Sequence, residues 1–339
     1  MTGGGARFTR ILAAFPRVRV TVVGDLVADE FIYGRLDRVS REAPVLILGY
    51  DSTEIVPGGA GNAASNAAAL GARVSVIGVV GRDPAGARLA AALGDQADVA
   101  GVMALADYVT PVKTRILAGG VHSAKQQVVR IDRSGGTARP SAVRRVEAAL
   151  AAAIRRSDVV IISDYGSGLV TPGLWTRALA ASRVRKPPMA LVDSRYALDG
   201  FEGMTACTPN ESEVEALLDV SINDDARVLE QAGRYLLERL RSQAVLITRG
   251  SRGMALFEPD KPTDHIAIAG SDEVADVTGA GDTVIATFAL AIAAGASFGD
   301  AARMANQAGG LVVMKRGTAT VSAPELAAAL AAASKGARR

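Results

Sequence analysis

Residues 276–283 read Asp-Val-Thr-Gly-Ala-Gly-Asp-Thr. They follow a strand-like stretch, His265–Ala269, and a short polar turn, and they run into Val284–Ala294, an apolar segment of helical composition. This order puts Gly279, Ala280 and Gly281 where a helix begins, with backbone N–H groups at the positive end of its dipole. Such a terminus binds anions, phosphate above all. Asp282 stands out there, because a fixed carboxylate repels a resting phosphate. It suits a base that takes the proton of a hydroxyl attacking the phosphate, so the octet suggests phosphoryl transfer to an alcohol. Spacing alone fits equally a glycine-rich turn with an aspartate near an N-cap.

The elements that must position these residues are legible as an alternation. Strand-like runs at Val18–Val23, Val74–Val79, Val159–Ser163, Ala190–Val192 and Ala244–Thr248 are separated by helical runs. The helical runs are Ala63–Leu70, Ala85–Leu93, Val143–Ile154, Leu174–Ser182, Glu211–Leu218 and Ala226–Arg241, with more near 284–294, 299–313 and 324–334. Continuous apolar strands such as Val159-Val160-Ile161-Ile162 imply cover on both faces, as in a parallel sheet. The βα alternation predicts an open, doubly wound α/β sheet over one domain, residues 1–339. Two stretches break the rhythm, about 29–56 and 109–133. The first reads as extended at Phe31–Tyr33 and Val45–Leu48, joined by polar Arg35–Glu42; the second reads as a hairpin with a Gly119-Gly120 turn. Either a small separate sheet or ordinary edge hairpins fit them.

Composition narrows the classes. Hydrophobic residues make up 49% and charged residues 22% of 339, so the chain is globular. A net charge of +3 with scattered arginines and 4% aromatics argues against nucleic acid. The single cysteine, Cys207, excludes an intrachain disulfide and fits a reducing cytoplasm. His122 and His265 read as surface residues, and the basic tail Lys335–Arg339 as a frayed end. Ile11–Phe15 is too short for a signal-peptide core, and Val284–Ala294 is too short to span a bilayer. The expectation is a soluble cytoplasmic protein with no membrane partner.

The octet also resembles the C-terminal signature of the ribokinase-like (PfkB) carbohydrate kinases, and further motifs agree in order and spacing. Gly58-Gly59-Ala60-Gly61-Asn62 is similar to the family's N-terminal signature, and Gly24-Asp25 to its sugar-binding aspartate. Thr208-Pro209-Asn210-Glu211-Ser212-Glu213 resembles its Asn-x-x-Glu motif. Thr248-Arg249-Gly250 with Gly253 resembles its nucleotide segment, and Asn306, with Gly310 a turn later, lies where its adenine pocket closes. The resemblance covers roughly residues 18–325. It implies a ribokinase-like fold with a β lid that covers the sugar and mediates a homodimer. It further implies ATP as co-substrate, Mg2+ positioned by Asn210 and Glu213 through water, and K+ as an optional activator.

With this resemblance, Asp25 is expected to accept a sugar hydroxyl rather than cap a turn. Gly58 and Gly59 are expected to let backbone approach the sugar, and Asn62 to face it rather than only cap the following helix. Asn210 and Glu213 also fit a capping box, and the two roles can coexist. Thr248 is expected to meet phosphates and Arg249 to neutralise them; a surface ion pair is the alternative for Arg249. Lys113 and Arg115 point to one face of a strand, and Arg130 comes from the apposed strand. Three cations beside a sugar site suggest an acceptor that already carries a phosphate, against the alternative of a charged edge that deters aggregation.

Thr110–Arg115, Gln126–Asp132, Arg38–Val45 and Lys315–Ser322 resemble the family's kinases of D-glycero-β-D-manno-heptose 7-phosphate, which form the 1,7-bisphosphate. Asp164-Tyr165-Gly166-Ser167-Gly168 carries Ser167 where that group usually has Lys, and Ser194-Arg195 replaces its Pro-Lys; these departures put the exact acceptor in doubt. Kinases of another sugar or sugar phosphate (fructose, ribose, a 1-phosphofructokinase) are the alternatives. A more distant one is an NAD-dependent oxidoreductase, since Gly59–Ala64 fits G-x-G-x-x-A with Asp83 at the distance of a ribose acid. That motif should follow a strand, and Pro57 argues against one. Bifunctional relatives carry a His-x-Gly-His motif for nucleotidyl transfer; neither His122 nor His265 begins one, so that second activity is not expected.

Overall fold

Val20-Thr21-Val22-Val23 and Val159-Val160-Ile161-Ile162 offer almost no polar face, and both become interior strands of a sheet covered by helices on each side. The computed structural model describes residues 4–119, 125–270, 276–315 and 317–336. His122, Gly120, Arg316 and Ala337–Arg339 lie outside the described residues. The N-terminal half runs α1 (Gly4–Leu12), β1 (Arg19–Gly24), β2 (Leu26–Val39), β3 (Leu46–Gly59), α2 (Ala60–Ala69), β4 (Arg73–Gly81), α3 (Pro84–Gly94), β5 (Asp98–Leu105), β6 (Val112–Gly119) and β7 (Gln126–Arg133). It continues with α4 (Pro140–Ile154), β8 (Val159–Asp164), α5 (Pro172–Ser182), β9 (Met189–Ser194), β10 (Ala206–Cys207), α6 (Glu211–Leu218), α7 (Ala226–Arg239) and β11 (Ala244–Thr248). β12 (Met254–Phe257), β13 (Asp264–Ile266), α8 (Ala280–Ala293), α9 (Phe298–Val312) and α10 (Ala323–Gly336) complete the chain.

Among the described residues, nine strands form the large sheet in the order β13-β12-β11-β10-β9-β8-β1-β4-β5. It is parallel except at β12, which pairs antiparallel with both β11 and β13. Val22 belongs to the core under α2, α8, α9 and α10, while its neighbour Val23 belongs to the core under α4, α5 and α7. This alternation is the two-sided burial that the apolar strands require. Strand order reverses at β1, between β8 and β4. In a doubly wound sheet the crevice beyond the strands' carboxyl ends at such a point is where ligands bind, and Asp25 and Asp164 stand there.

A second sheet, β3-β2-β6-β7, lies outside this layer, with β2 antiparallel to β3, β2 parallel to β6, and β6 antiparallel to β7. It corresponds to the two stretches that broke the rhythm, although its first hairpin is longer than expected. β2 and β3 are 14 residues each, so most of Arg35–Glu42 is strand rather than a connection. Pro57 is also within β3, opposite Ala28. The sequence argument that no strand precedes Gly59–Ala64 is therefore corrected: one does, but it belongs to the small sheet and runs antiparallel to its partner. Helix α1 and strand β5 were not anticipated, and the strand expected at His265–Ala269 ends at Ile266. His265 is exposed, as expected.

Candidate active site

Helix α8 starts at Gly279, whose φ of 76° is left-handed. A side chain there would be strained, and its Cβ would collide with the amide of Asn62. The first turn thus brings Gly279, Gly281 and Asp282 to the floor of the crevice, though the Ala280 N–H is engaged by Val277 O at 3.3 Å. Alanines at 60, 63, 64 and 67 bury completely and let α2 pack close to α8. That proximity is what allows Asn62 Nδ2 to donate to Asp282 Oδ2 at 2.8 Å and to Gly279 O at 3.3 Å. Asn62 lies inside α2 rather than at its N-cap, so the capping alternative does not apply. Behind it, Asn66 Nδ2 donates to Asn62 Oδ1 at 3.0 Å, and Thr283 Oγ1 donates to Asn66 Oδ1 at 3.0 Å.

The other Asp282 oxygen, Oδ1, accepts from the hydroxyl of Tyr165 at 3.0 Å. Burial raises the Asp282 pKa to about 7 against the opposing effect of these two donors, with Asp29 adding to the rise and Lys113 opposing it. A carboxylate with that proton affinity is half-ionised near neutrality, the range suited to a general base.

Three strands deliver an acid at their carboxyl ends. After β1, Asp25 is held by the loop after β8: Oδ2 accepts from the N–H groups of Tyr165 (2.8 Å) and Ser167 (3.1 Å), and Oδ1 from the Ser167 hydroxyl (2.5 Å). Burial raises its pKa, partly offset by those donors. Asp164, ending β8, accepts from Ser194 Oγ at 2.7 Å and from the Gly166 N–H at 2.9 Å. The two departures noted in the sequence, Ser167 and Ser194, therefore tie down the two acids. In β9, the Asp193 carboxylate forms no hydrogen bond or ion pair among the described residues. Its Oδ2 faces Gly281, and its pKa is raised by burial and by Glu213 and Asp282. The same signal that marked Asp25, an acid closing an apolar strand, would have found Asp193. The i,i+4 spacing of Asn62 and Asn66 would have found Asn66.

Beyond Asp282 the crevice continues to Asn210, Glu213 and Thr248. Asn210 and Glu213 form the full capping box of α6, each bonding the other's backbone N–H at 2.9 Å. Burial raises the Glu213 pKa. Among the described residues no three His, Cys, Asp or Glu side chains are placed to hold a metal ion directly. Thr248, Gly250, Gly253, Asn306 and Gly310 converge on an adjoining slot that also includes Ala280, Gly281 and the apolar Met254, Ile268 and Val284. Gly310 is required there because a Cβ would strike the carbonyl of Ala269. Asn306 Nδ2 donates to Ala267 O at 2.7 Å. Arg249 is not part of this lining. Its Nε pairs with Glu211 at 3.0 Å, the ion-pair alternative named for it in the sequence.

On the lid side, Asp25, Val27, Lys113, Tyr165 and Arg195 share a further pocket. Gly58 and Gly59 close β3 directly below Val27 and Leu26. The register places Arg115 opposite Arg130 and Lys113 opposite Asp132, as the hairpin reading required. The three cations do not act alike, however. Arg115 is buried, pairs with Asp29 at 2.6 Å and lies over Phe31; Arg130 is exposed and pairs with Asp132 at 2.9 Å. Only Lys113 reaches the pocket, its Nζ 5.5 Å from the Tyr165 ring centre, with its pKa lowered by burial. The joint cluster is thus corrected: a buried aspartate takes one cation and the neighbouring strand residue another. Beside Arg133, Arg195 lines the pocket; the sequence marked it only as a departure from Pro-Lys. It is exposed, forms no ion pair among the described residues, and sits 5.9 Å from the same ring. Asp83, the ribose acid of the oxidoreductase alternative, instead caps α3 through the Gly86 N–H at 2.7 Å.

The fold and site match known proteins. Residues 20–326 match the pfkB family carbohydrate kinase. The Bifunctional protein HldE of Geobacter sulfurreducens is 41% identical over 315 residues, 92% of this chain and 63% of that protein. Its namesake in Caulobacter vibrioides is 39% identical over 322 residues, 94% of this chain and 65% of that protein. The chain thus spans just under two thirds of these relatives' length. In structure it is similar to Arabidopsis thaliana ribokinase complexed with ribose and ATP, at TM-score 0.68 and 20% identity over 92% of this chain and 98% of that one. It is likewise similar to Escherichia coli phosphofructokinase-2 in complex with potassium, at TM-score 0.73 and 18% identity over 94% and 99%. With a ribokinase-like α/β fold and this match over most of its length, the chain belongs to the pfkB family of carbohydrate kinases.

Proposed function

We propose that the chain phosphorylates the anomeric hydroxyl of D-glycero-β-D-manno-heptose 7-phosphate to the 1,7-bisphosphate. The observation that carries the chemistry is Asp282: buried at the first turn of α8, held on both oxygens by Asn62 and Tyr165, and with its pKa raised to about 7. The hydroxyl proton passes to Asp282 as its oxygen bonds the γ-phosphorus of ATP. The bond to the β–γ bridging oxygen breaks, and ADP leaves. Gly279 and Gly281, on either side of Ala280, cradle the transferred group through backbone N–H groups and the helix dipole.

The acceptor lies over Asp25, Gly58, Gly59, Asn62 and Asp164, with Lys113 supplying charge for its phosphate. ATP occupies the slot of Thr248, Gly250, Gly253, Asn306 and Gly310. The relatives named HldE and the motif resemblance to heptose 7-phosphate kinases support this acceptor over fructose, ribose or fructose phosphates. Asp193, Glu213 and Asp282 line the crevice together, and the crowding of like groups raises the Asp193 pKa; a divalent cation held through water by Asn210 and Glu213 would relieve that crowding. Bound there, Mg2+ would screen the phosphates; the chain's own residues orient the acceptor and move its proton.

The phosphofructokinase-2 complex with potassium motivates adding K+ to the assay. Exposed apolar residues on the lid strands (Leu36, Val39, Leu46, Val129, Ile131) support a homodimer through the lid. Dependence on ATP supports a cytoplasmic enzyme. The deciding experiment is a screen of phosphorylated against free sugars for ADP release, with Mg2+ and with or without K+. Heptose 7-phosphate is expected to exceed free sugars by at least tenfold in kcat/KM. Equal turnover of free sugars would remove the heptose assignment and leave the kinase.

A further inference from the structure

Tyr165 is attached to more of the crevice than any residue singled out from the sequence. Its backbone N–H donates to Asp25 Oδ2 at 2.8 Å and its hydroxyl to Asp282 Oδ1 at 3.0 Å. Its ring underlies two cations from different elements, Lys113 of β6 at 5.5 Å and Arg195 after β9 at 5.9 Å. We propose that Tyr165 is a positioning residue for phosphoryl transfer, fixing the Asp282 carboxylate relative to the acceptor pocket that Asp25 marks. The proposal rests on the reading of Asp282 as the base.

The geometry is specific in two respects. Asn62 bonds one oxygen of Asp282 and Tyr165 the other, so rotating the carboxylate breaks at least one of these bonds. The same residue that orients the base also anchors Asp25, so the acceptor pocket and the base share one rigid connection. Burial and the carboxylates of Asp282 and Asp193 keep the phenol protonated, hence a donor. A donor to an ionised carboxylate stabilises that form, and its removal raises the proton affinity of the acid. The charged and titratable groups around Asp282 are Asp29 from β2, Lys113 from β6, Asp164 of β8, Asp193 of β9, Arg195 after it, Glu213 of α6 and, last, Tyr165 itself. Only the last changes in Tyr165→Phe, which keeps the ring beneath Lys113 and Arg195.

The test is the pH profile of kcat for the parent, Tyr165→Phe, Asp282→Asn and the double variant. Tyr165→Phe is expected to move the acid limb up by about one pH unit, a tenfold change in proton affinity. It should lower kcat about fivefold at pH 7, where the ionised fraction falls from about one half to about one tenth, recover at higher pH, and leave the acceptor KM within about threefold. In the Asp282→Asn background the same change should have little further effect, because coupled residues are non-additive. An unmoved limb, a pH-independent loss, or an equal loss in both backgrounds would overturn the proposal. Tyr165→Gln retains a non-titrating donor and covers the case in which the Phe variant fails to fold. A parent-like limb there supports the proposal, and a limb displaced by a full unit overturns it. If Asp282→Asn itself keeps near-parent turnover, the base reading fails first, an outcome distinct from a silent Tyr165→Phe.

Discussion

At the first turn of α8, the polar groups converge on the crevice and leave room beside them, whereas on the lid two of three cations are bound up with neighbours. Asp282 has both oxygens held by neutral donors, Asn62 and Tyr165, which orient it without neutralising it. Arg115, one strand face from Lys113, is closed in a buried pair with Asp29, which also accepts from Thr318 Oγ1 at 3.0 Å. Neutral hydrogen bonds keep a charge available for chemistry; an opposite charge at 2.6 Å spends it on holding the sheet together. Two cations on the same strand face are therefore used differently: Lys113 lines the pocket, and Arg115 is held in a buried ion pair.

The largest effect that would break this comparison is at the base. Asp282→Asn should lower kcat on the order of 10²–10⁴-fold with ATP affinity little changed, read by steady-state kinetics and nucleotide titration; near-parent turnover would remove the contrast. Next comes Arg115→Ala, which strands Asp29 in the interior. Breaking a buried pair costs about 3–5 kcal/mol, so calorimetry should show a large loss of Tm or failure to fold. Lys113→Ala should instead leave Tm nearly intact and raise the KM for the sugar phosphate about 10–150-fold, the worth of a charge-assisted contact of about 1.5–3 kcal/mol. Equal behaviour of the two variants would refute the division.

A third test uses pH. Since the folded-state pKa of Asp282 is raised to about 7 from an ordinary value of 3.8, the folded chain binds more protons than the unfolded one between those values. Its contribution to stability is full below the lower value and is lost as pH rises through the upper one. Asp282→Asn removes that loss, so Tm should rise by several degrees at pH 8, about 2–4 °C for each 1 kcal/mol recovered, and change little near pH 4. A pH-independent difference would mean the carboxylate is not the titrating group. Smaller still, Asn210→Ala should cost about 1 kcal/mol as the cap of α6 is lost. It should also raise the Mg2+ concentration for half-maximal rate; a Tm change without a shift in the Mg2+ titration would leave only the cap. Arg130→Ala, exposed and paired only with Asp132, should stay within about 0.5 kcal/mol of the parent and leave KM unchanged.

The amino-acid sequence by itself determined the layered sheet and where its crevice lies. Continuous apolar runs such as Val159–Ile162 have no stable place except between helix layers, and acids such as Asp25 and Asp164 closing those runs must emerge at the carboxyl edge. It also determined the helix start at Gly279, because few residues tolerate a left-handed N-cap and the octet supplies glycine there. What it left open was decided by distance. Nothing local distinguishes Arg115 from Lys113, or Arg249 from a phosphate ligand, until β2 brings Asp29 alongside one and α6 brings Glu211 to the other. Likewise Tyr165 and Asp282, 117 residues apart, meet only because β8 ends and α8 begins at the same crevice. Electrostatic partnership falls off within a few ångströms, so only the tertiary structure could settle which charges were used and which remained available.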